Sequence, residues 1–271
     1  MDDHAARAAR FLTLHEGERP LILANAWDVG SAKLLAALGF EALATTSSGY
    51  AATLGRLDYG ITREEAVAHA AALVAATGVP VSADFEDGFG DDPAGVAETV
   101  ELAVEIGLAG CSVEDWNAAE ERLYGVQEAA ERVAAAAEAA HAGPVHLVLT
   151  ARAENHLRGN PDVRDTIARL QAFEAAGADV LYAPALDRTE DLRELLASVE
   201  RPVNVLARPG APAVGELSAL GVKRVSVGGA FAFAALGAVV GAAQELLGDG
   251  TYGFTELSHT GAKAARAAFA A

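Results

Sequence analysis

The chain of 271 residues holds 38 acidic and 20 basic residues, and its formal net charge of −18 at pH 7 argues against a nucleic acid partner. Hydrophobic residues make up 52% of the chain, which is enough to bury a large core. The single cysteine excludes an intrachain disulfide and a cysteine-built zinc site.

The N-terminal segment MDDHAARAARFLTLHEG lacks the basic end and the apolar core of a secretory signal. The apolar runs are shorter than the ~20 residues of a membrane span. The richest run, from Ala230 to Ala243, is interrupted by glycines. We therefore expect a cytoplasmic protein with no membrane partner.

Short apolar runs alternate along the chain with longer runs of helical periodicity. The eight candidate strands begin at Leu21, Glu41, Pro80, Gly110, Val145, Asp179, Pro202 and Arg224. Stretches between them, such as 63–78 and 126–143, place apolar residues three and four positions apart and end in glycine, as helices often do. This alternation is typical of an α/β protein with a parallel sheet.

Eight strands with helical crossovers predict a closed (β/α)8 barrel, or TIM barrel, in one domain over residues 1–271. An open doubly wound sheet is the competing architecture. The segment LILANAWDVGSA around the first strand lacks the phosphate-binding GxGxxG of that fold. Residues 248–271 form a C-terminal helical extension that a minimal barrel does not need, and we expect it to pack on another subunit.

Two carboxylates at the end of the third strand predict a metal site, since reactive groups of such barrels lie at the C-terminal strand ends. Asp84 and Glu86 are two positions apart, so on an extended strand they share one face. Crowded carboxylates repel unless a cation or proton lies between them, and oxygen ligands favour Mg²⁺ or Mn²⁺. Glu114 ends the fourth strand and could complete the site. A solvated acidic loop is the alternative.

Other strand ends carry groups suited to an anionic ligand. Ser48-Gly49-Tyr50 follows the second strand, where glycine permits a loop whose N–H groups face a carboxylate or phosphate, although an ordinary turn explains the motif equally well. Arg152 ends the fifth strand with a planar fork that matches a carboxylate. Asn204 lies on the seventh strand.

Four motifs, in this order on the strand ends, resemble the isocitrate lyase and phosphoenolpyruvate mutase superfamily. Ser48-Gly49-Tyr50 is similar to its Ser-Gly-aromatic substrate loop, and residues 84–90, DFEDGFG, are similar to its D-x-[DE]-x-G-x-G signature. Glu114-Asp115 resembles the E-D pair at its fourth strand, and Arg152 resembles its substrate arginine. The resemblance covers almost the whole chain, from Leu21 to the eighth helix.

One segment departs from the family pattern. Isocitrate and methylisocitrate lyases carry a Lys-(Lys/Arg)-Cys-Gly-His loop after the fourth strand, where this chain has WNAAEERLYGVQ, from Trp116 to Gln127. The thiol acid is therefore missing, and Cys111, an odd number of positions from Glu114, should face the helices. Classical isocitrate lyase activity should be poor. The proton for a carbanion product would then come from water, from Tyr124 or from another strand-end group, and the segment has the polar composition of a mobile lid.

The resemblance implies a Mg²⁺-dependent enzyme (Mn²⁺ is the other metal suited to such a site) that acts on small 2-oxo or 2-hydroxy acids through an enolate. It also implies a homo-oligomer, a dimer of dimers that exchange their C-terminal helices. By the same resemblance Asp84 binds the metal directly. The predicted site comprises Asp58, Glu114, Arg152 and Tyr124 as catalytic residues, Ser48, Gly49, Tyr50, Arg152 and Asn204 as substrate ligands, and Asp84, Glu86 and Glu114 as metal ligands.

Three functions remain open at this point. The leading hypothesis is a lyase, or a related hydrolase, that cleaves a carbon–carbon bond in small 2-oxo or 2-hydroxy dicarboxylates. A hydrolase or mutase of carbon–phosphorus bonds, of the phosphonopyruvate type, is the alternative within the family. A barrel that binds 2-oxo acids without chemistry is the alternative outside it. A sugar-phosphate isomerase that uses Gly228 and Gly229 would leave the acidic cluster unexplained.

Overall fold

Eight parallel strands close into a barrel with helices around it, as the computed structural model shows for residues 3–270. The strands are β1 Leu21–Ala26, β2 Leu43–Thr45, β3 Val81–Asp84, β4 Gly110–Glu114, β5 Trp116–Asn117, β6 Arg122–Leu123, β7 Val148–Arg152, β8 Val180–Tyr182, β9 Val203–Leu206 and β10 Arg224–Ser226. Strands β5 and β6 form a separate antiparallel hairpin, and the other eight neighbour one another in chain order until β10 pairs with β1. The predicted TIM barrel is confirmed.

The helices connect successive strands and cover the outside of the barrel. They are α1 Asp3–Thr13, α2 Val29–Ala37, α3 Ser47–Thr53, α4 Arg63–Ala76, α5 Pro93–Glu105, α6 Val126–His141, α7 Val163–Ala175, α8 Thr189–Leu196, α9 Val214–Leu220, α10 Ala230–Gly248 and α11 Thr255–Phe269. Their starts follow local capping chemistry: Thr62 and Glu65 form a capping box on α4, and Asp92 caps α5, whose first residue is Pro93.

The main hydrophobic core lies between the strands and the helices. It includes the fully buried Leu73, Phe85, Val100, Leu149 and Phe173. Alanine fills much of the remaining space, which allows helices and sheet to approach closely. The core thus leaves the inside of the barrel free for polar side chains.

Helix α1 closes the N-terminal end of the barrel. The buried ring of Phe11 packs with Leu21, Ala42, Ala109 and Val148, which come from the first residues of four strands or from positions just before them. The barrel interior is therefore a blind pocket that opens only where the strands end.

The structure corrects two expectations about local conformation. Ser48-Gly49-Tyr50 lies within α3, which Thr46 caps by accepting a hydrogen bond from the Gly49 N–H, so the motif forms a helix and no glycine-permitted loop. Strand β3 ends at Asp84, and Glu86 has a φ of +50°. The two carboxylates therefore do not share one face of a strand, because the chain turns between them.

The C-terminal helices form an extension beyond the eight crossovers. Helix α11 packs against α2, where Phe269 reaches Gly30 and Ala268 is buried. Helix α10 is exposed over most of its length although it is apolar, with Phe233, Leu236 and Val239 among its exposed residues.

The glycines inside α10 do not interrupt it, contrary to the sequence-based expectation. At 19 residues, α10 is one described helix that by length and composition alone could cross a membrane. The same features suit a helix that a second protein surface covers, so they do not by themselves identify a membrane segment.

Candidate active site

A polar cavity of about 170 Å³ opens at the C-terminal ends of the barrel strands. Residues of all eight barrel strands line its wall and floor, together with loop residues. Among the predicted site residues, the cavity is lined by Ser48, Asp58, Asp84, Glu114, Arg152 and Asn204. The structure thus brings together six of the residues that the sequence analysis selected.

Asp84 is held at the centre of this site by hydrogen bonds on both carboxylate oxygens. Its Oδ2 accepts from the Ser47 N–H at 3.1 Å and from the Ser47 hydroxyl at 2.9 Å. Its Oδ1 accepts from Arg152 Nη1 at 2.9 Å. Ser47, which the sequence analysis did not select, also donates to Asp58 at 3.3 Å and so links the two carboxylates.

Arg152 is surrounded by three carboxylates of the protein itself. Its Nη2 lies 3.0 Å from Glu114 and 2.8 Å from Glu154, in addition to the contact between Nη1 and Asp84. The attraction of these charges outweighs burial and raises the pKa of Arg152, so it stays cationic. Its fork is therefore occupied in this structure, although the resemblance implied that it grips a substrate carboxylate.

Two acidic groups beside Asp84 are held in an unfavourable environment. Burial, together with the charge of Asp84, raises the pKa of Asp58. Burial, together with the charges of Asp84, Asp58 and Asp87, raises the pKa of Glu86 to about 9. Glu86 is buried, and its Oε1 has no hydrogen-bond partner. A buried carboxylate oxygen without a partner next to other carboxylates is the arrangement that a bound cation relieves.

Glu114 connects the cavity to a phenol. Tyr59 donates its hydroxyl proton to Glu114 Oε1 at 2.5 Å, and Arg158 donates to the same Tyr59 oxygen. Burial, more than any other effect, raises the pKa of Glu114 and that of Tyr59. Arg158 also lies over the ring of Trp116, 4.2 Å from its centroid, so the β5–β6 hairpin supports this corner of the site.

Asp115 points away from the cavity, as the alternation along β4 requires. It is buried and accepts from Arg169 Nη1 at 2.9 Å and from the Glu154 N–H at 2.7 Å. These contacts place the turn after β7, and with it the Glu154 carboxylate beside Arg152. Asp115 therefore has a positioning role.

Four predicted residues do not line the cavity, namely Gly49, Tyr50, Glu86 and Tyr124. Tyr50 on α3 stacks on His69 of α4, with ring centroids 3.9 Å apart. Tyr124 is buried in the core beside Arg132, and its hydroxyl donates to Asp87 at 2.9 Å. Neither hydroxyl lines the cavity.

The segment that follows β4 is a folded hairpin with fixed contacts. Trp116 pairs with Leu123, the Tyr124 N–H donates to the Asp115 carbonyl oxygen, and Arg169 donates to the Tyr124 carbonyl oxygen. Cys111 is fully buried outside the cavity, where burial raises the pKa of its thiol to about 12. The thiol therefore lies in the core between strands and helices and does not reach the cavity, in line with the alternation along β4.

Glycines at the end of β10 approach the second strand end closely. A Cβ on Gly229 would lie 2.8 Å from the Ser48 hydroxyl. The N–H groups of Val227 and Gly228 both donate to Asn25 Oδ1, at 3.1 and 2.9 Å. These donors are already used, so Gly228 and Gly229 serve close packing better than they serve a phosphate cradle.

A second cluster of possible metal ligands lies at the other end of the barrel. His141 and His146 place their Nε2 atoms 3.0 and 2.9 Å from the two oxygens of Asp179, which directly precedes β8. The imidazole rings stack at 4.1 Å. Hydrogen bonds account for this arrangement, and the cluster is separate from the cavity.

The chain matches a known protein family over most of its length. Residues 11–247 match the family model described as phosphoenolpyruvate phosphomutase. The chain belongs to this family. The superfamily resemblance drawn from the strand-end motifs is therefore confirmed.

Several similar proteins match most of the chain. A crystal structure of a Burkholderia cenocepacia J2315 protein, provisionally described as a lyase/mutase, is 50% identical, has a TM-score of 0.91 and covers 94% of this chain and 93% of its own. The uncharacterized protein Rv1998c of Mycobacterium tuberculosis (strain H37Rv) is 37% identical over 80% of this chain and 81% of its own length. Oxaloacetate decarboxylase of Ectopseudomonas mendocina is 30% identical over 90% and 86%. Family members thus include enzymes that act on small carboxylic acids.

Proposed function

We propose that the protein is a Mg²⁺-dependent lyase that cleaves a carbon–carbon bond in a small 2-oxo or 2-hydroxy dicarboxylate through an enolate. The observation that carries this proposal is the buried Glu86 oxygen without a partner, beside Asp84 and Asp58 at the mouth of the cavity. Three carboxylates in this arrangement fit a hard divalent cation, Mg²⁺ or Mn²⁺. Asp84 would hold the ion, with Asp58, Glu86 and Glu114 around it.

Charge supports the need for a cation. Three acidic residues, Asp58, Asp84 and Glu114, line the cavity with only Arg152 and Arg224 as lining cations among the described residues, and the buried carboxyl groups of Glu86 and Glu154 lie behind the wall. A substrate with two carboxylates would be repelled by this excess. A divalent ion reverses the local charge and, when bound, stabilises the negative oxygen that develops as the bond breaks.

The residues of the chain supply the remaining chemistry. In a 2-hydroxy acid, a carboxylate of the cluster accepts the hydroxyl proton, the bond between carbons 2 and 3 breaks, and its electrons form the enolate of the leaving acid. The enolate then takes a proton from an acid of the site. We assign this acid to Tyr59 with Glu114, because the phenol lines the cavity, whereas Tyr124 does not.

A carbon–phosphorus reaction is the second candidate, and the description of the family model favours it. Both reactions use an enolate next to a carboxylate, so the same cluster serves either. Turnover of 2,3-dimethylmalate, oxaloacetate and phosphonopyruvate with Mg²⁺ separates them. The absence of turnover with carbon–carbon and carbon–phosphorus substrates alike would contradict both candidates.

Asp84→Asn tests the metal assignment. The amide keeps the shape of the side chain and removes its charge, so we expect Mg²⁺ binding by calorimetry to fall at least about tenfold and turnover to be lost. Asp187→Asn is the control, because this carboxylate lies outside the cavity and pairs with Arg208 at 3.5 Å. Equal Mg²⁺ affinity in Asp84→Asn and the parent would contradict the proposal.

A cytoplasmic location and the absence of a membrane or nucleic acid partner stay predictions.

A further inference from the structure

Arg224 lies at the floor of the cavity and, within residues 3–270, forms side-chain hydrogen bonds only with uncharged groups. It points inward from β10, is 4% exposed and lines the cavity below Arg152. Its Nε donates to Asn204 Oδ1 at 3.0 Å, and its Nη1 donates to Thr150 Oγ1 at 3.0 Å and to His15 Nε2 at 3.4 Å. Burial, with the nearby Arg224 charge, lowers the pKa of His15 to about 4, so the imidazole is neutral at neutral pH.

The two arginines of the cavity differ in their counterions. Arg152 pairs with Asp84, Glu114 and Glu154, whereas Arg224 forms no ion pair with a carboxylate of residues 3–270. Burial lowers the pKa of Arg224 to about 10, which still leaves it cationic at neutral pH. A buried cation without a counterion is costly, and proteins ordinarily pair it. Here the missing anion can enter from the cavity.

We propose that Arg224 is an anion subsite that binds the distal carboxylate of a dicarboxylate substrate. The inference rests on the proposed function and extends it to the class of substrate. Thr150, which contacts Arg224, precedes Arg152 by two residues on β7, so the two levels of the barrel are about 7 Å apart along the strand. A short-chain diacid with its reacting end near Asp84 reaches from one level to the other.

The cavity and its wall agree with this binding mode. Its volume of about 170 Å³ equals that of about six water molecules at ~30 Å³ each, which is enough for a small diacid. Asn204 fixes the orientation of the subsite, because its amide donates to Ser226 at 2.9 Å while its carbonyl accepts from Arg224. Asn204, predicted as a substrate ligand, then acts mainly as a positioning residue for Arg224.

Two pairs of ligands test the subsite, because each pair differs only in the terminal carboxylate. They are 2-oxoglutarate with 2-oxopentanoate, and malate with 2-hydroxybutanoate, measured by calorimetry on the full chain with Mg²⁺. We expect the parent to bind at least one diacid at least about tenfold more tightly than its monoacid partner. Arg224→Met should abolish this preference and change monoacid affinity less than about twofold.

A conservative variant and a control variant make the result specific. Arg224→Lys keeps the buried charge but lacks the planar fork, so it should lose part of the diacid preference. It also keeps the test valid if Arg224→Met does not fold. Arg208→Met removes a half-exposed arginine outside the cavity and should leave both affinities unchanged.

Two outcomes would overturn the inference, and a third would contradict the proposed function as well. Equal weakening of monoacid and diacid in folded Arg224→Met would show that the arginine only supports the barrel. An unchanged diacid preference would show that another group binds the distal carboxylate. A parent protein that binds neither acid of either pair with Mg²⁺ contradicts both proposals.

Discussion

Tyr59 and Tyr124 follow different strands of the barrel, and their hydroxyl groups face different surroundings. Tyr59 lines the cavity and donates to Glu114, whereas Tyr124 is buried in the core and donates to Asp87. Only the first of the two can deliver a proton to a bound enolate without rearrangement of the core.

Tyr59→Phe should therefore lower kcat about a hundredfold, the effect expected for loss of a general acid, with little change in KM. Tyr124→Phe is the matched control and should retain kcat within about threefold while losing some stability. Steady-state kinetics on the substrate found in the panel measure both. A larger loss of kcat in Tyr124→Phe than in Tyr59→Phe would reverse the assignment.

His15 should make the protein sensitive to mild acid. Burial, with the Arg224 charge, lowers its pKa to about 4 in the folded state, against 6.5 for the unperturbed group. Between these values the unfolded chain binds more protons, so stability is full above about pH 6.5 and is lost as the pH falls toward 4. At pH 5 the loss from this residue is about 2 kcal/mol.

His15→Gln removes this titration and keeps polar atoms beside Arg224. The free energy of unfolding, from urea titrations at pH 7.5 and pH 5, should fall less in the variant than in the parent, by about 2 kcal/mol. Comparison of the two proteins cancels the contributions of other titrating groups. Equal losses in both would show that His15 does not titrate differently in the folded state.

Residue patterns identified the central residues of the site better than the residues that contact them. Asp84, Glu114 and Arg152 end strands, so the barrel rule placed them at the cavity. Arg224 was missed because it begins a short run, RVSVG, that reads as an ordinary buried strand. A charged residue inside such a run was the signal available. Ser47 lay one residue from a selected position, but its contact is with Asp84 on another strand and cannot be read from spacing. Glu154 lies two residues after Arg152, and the hydrogen bond to Asp115 that holds it there comes from another strand.

At the level of elements, Gly49 sets the distance between α3 and its neighbours. A Cβ at this position would lie 2.6 Å from Thr46 Cγ2, 3.1 Å from the Ala232 Cβ and 3.2 Å from the Trp27 Cβ. Helix α10 therefore contacts α3 where only glycine fits. The same α3 carries Ser47 and Ser48 at its N-terminus, so its position affects the cavity.

Gly49→Ala should destabilise the protein by about 1–3 kcal/mol, as overpacking does, and should weaken substrate binding through displacement of α3. Gly215→Ala is the control, because a Cβ there meets nothing within 4 Å and α9 gains helix propensity. Thermal unfolding and KM measure the two effects. A Gly49→Ala protein as stable as the parent would mean that α10 moves without cost.

The position of elements was easier to predict than their local conformation. All eight barrel strands lie within or beside the predicted runs, because buried parallel strands have largely apolar sequences. The helix Ser47–Thr53 was not predicted, since its seven residues are rich in Ser, Gly and Thr, which favour turns. Its formation depends on the Thr46 cap and on the contact between Ser47 and Asp84, which joins two strand ends.

At the level of the whole molecule, α10 indicates an assembly. The helix has 19 residues, and its apolar side chains Leu236, Val239 and Val240 are each about half exposed or more. An exposed apolar surface of this kind is unfavourable in water and is typical of an interface. Composition predicted a large core but could not show that this helix lies outside it. A second subunit packed on this face would cover it.

We expect a homo-oligomer, a dimer of dimers, and expect Leu236→Asp combined with Val240→Asp to dissociate it. Multi-angle light scattering of the parent should give a multiple of 27.7 kDa, and the double variant should give a smaller one. Val214→Asp, an exposed apolar residue on α9, is the control and should leave the mass unchanged. A parent of 27.7 kDa at micromolar concentration would contradict the prediction.

The blind end of the barrel, closed by Phe11, has a kinetic consequence. With a single opening, two products formed in the pocket must leave one after the other. In the proposed reaction the fragment bound at Arg224 would lie deeper and leave last, so it should inhibit competitively against substrate. The fragment at the mouth leaves first and should inhibit noncompetitively, and product inhibition patterns would thus record the order in which the cavity empties.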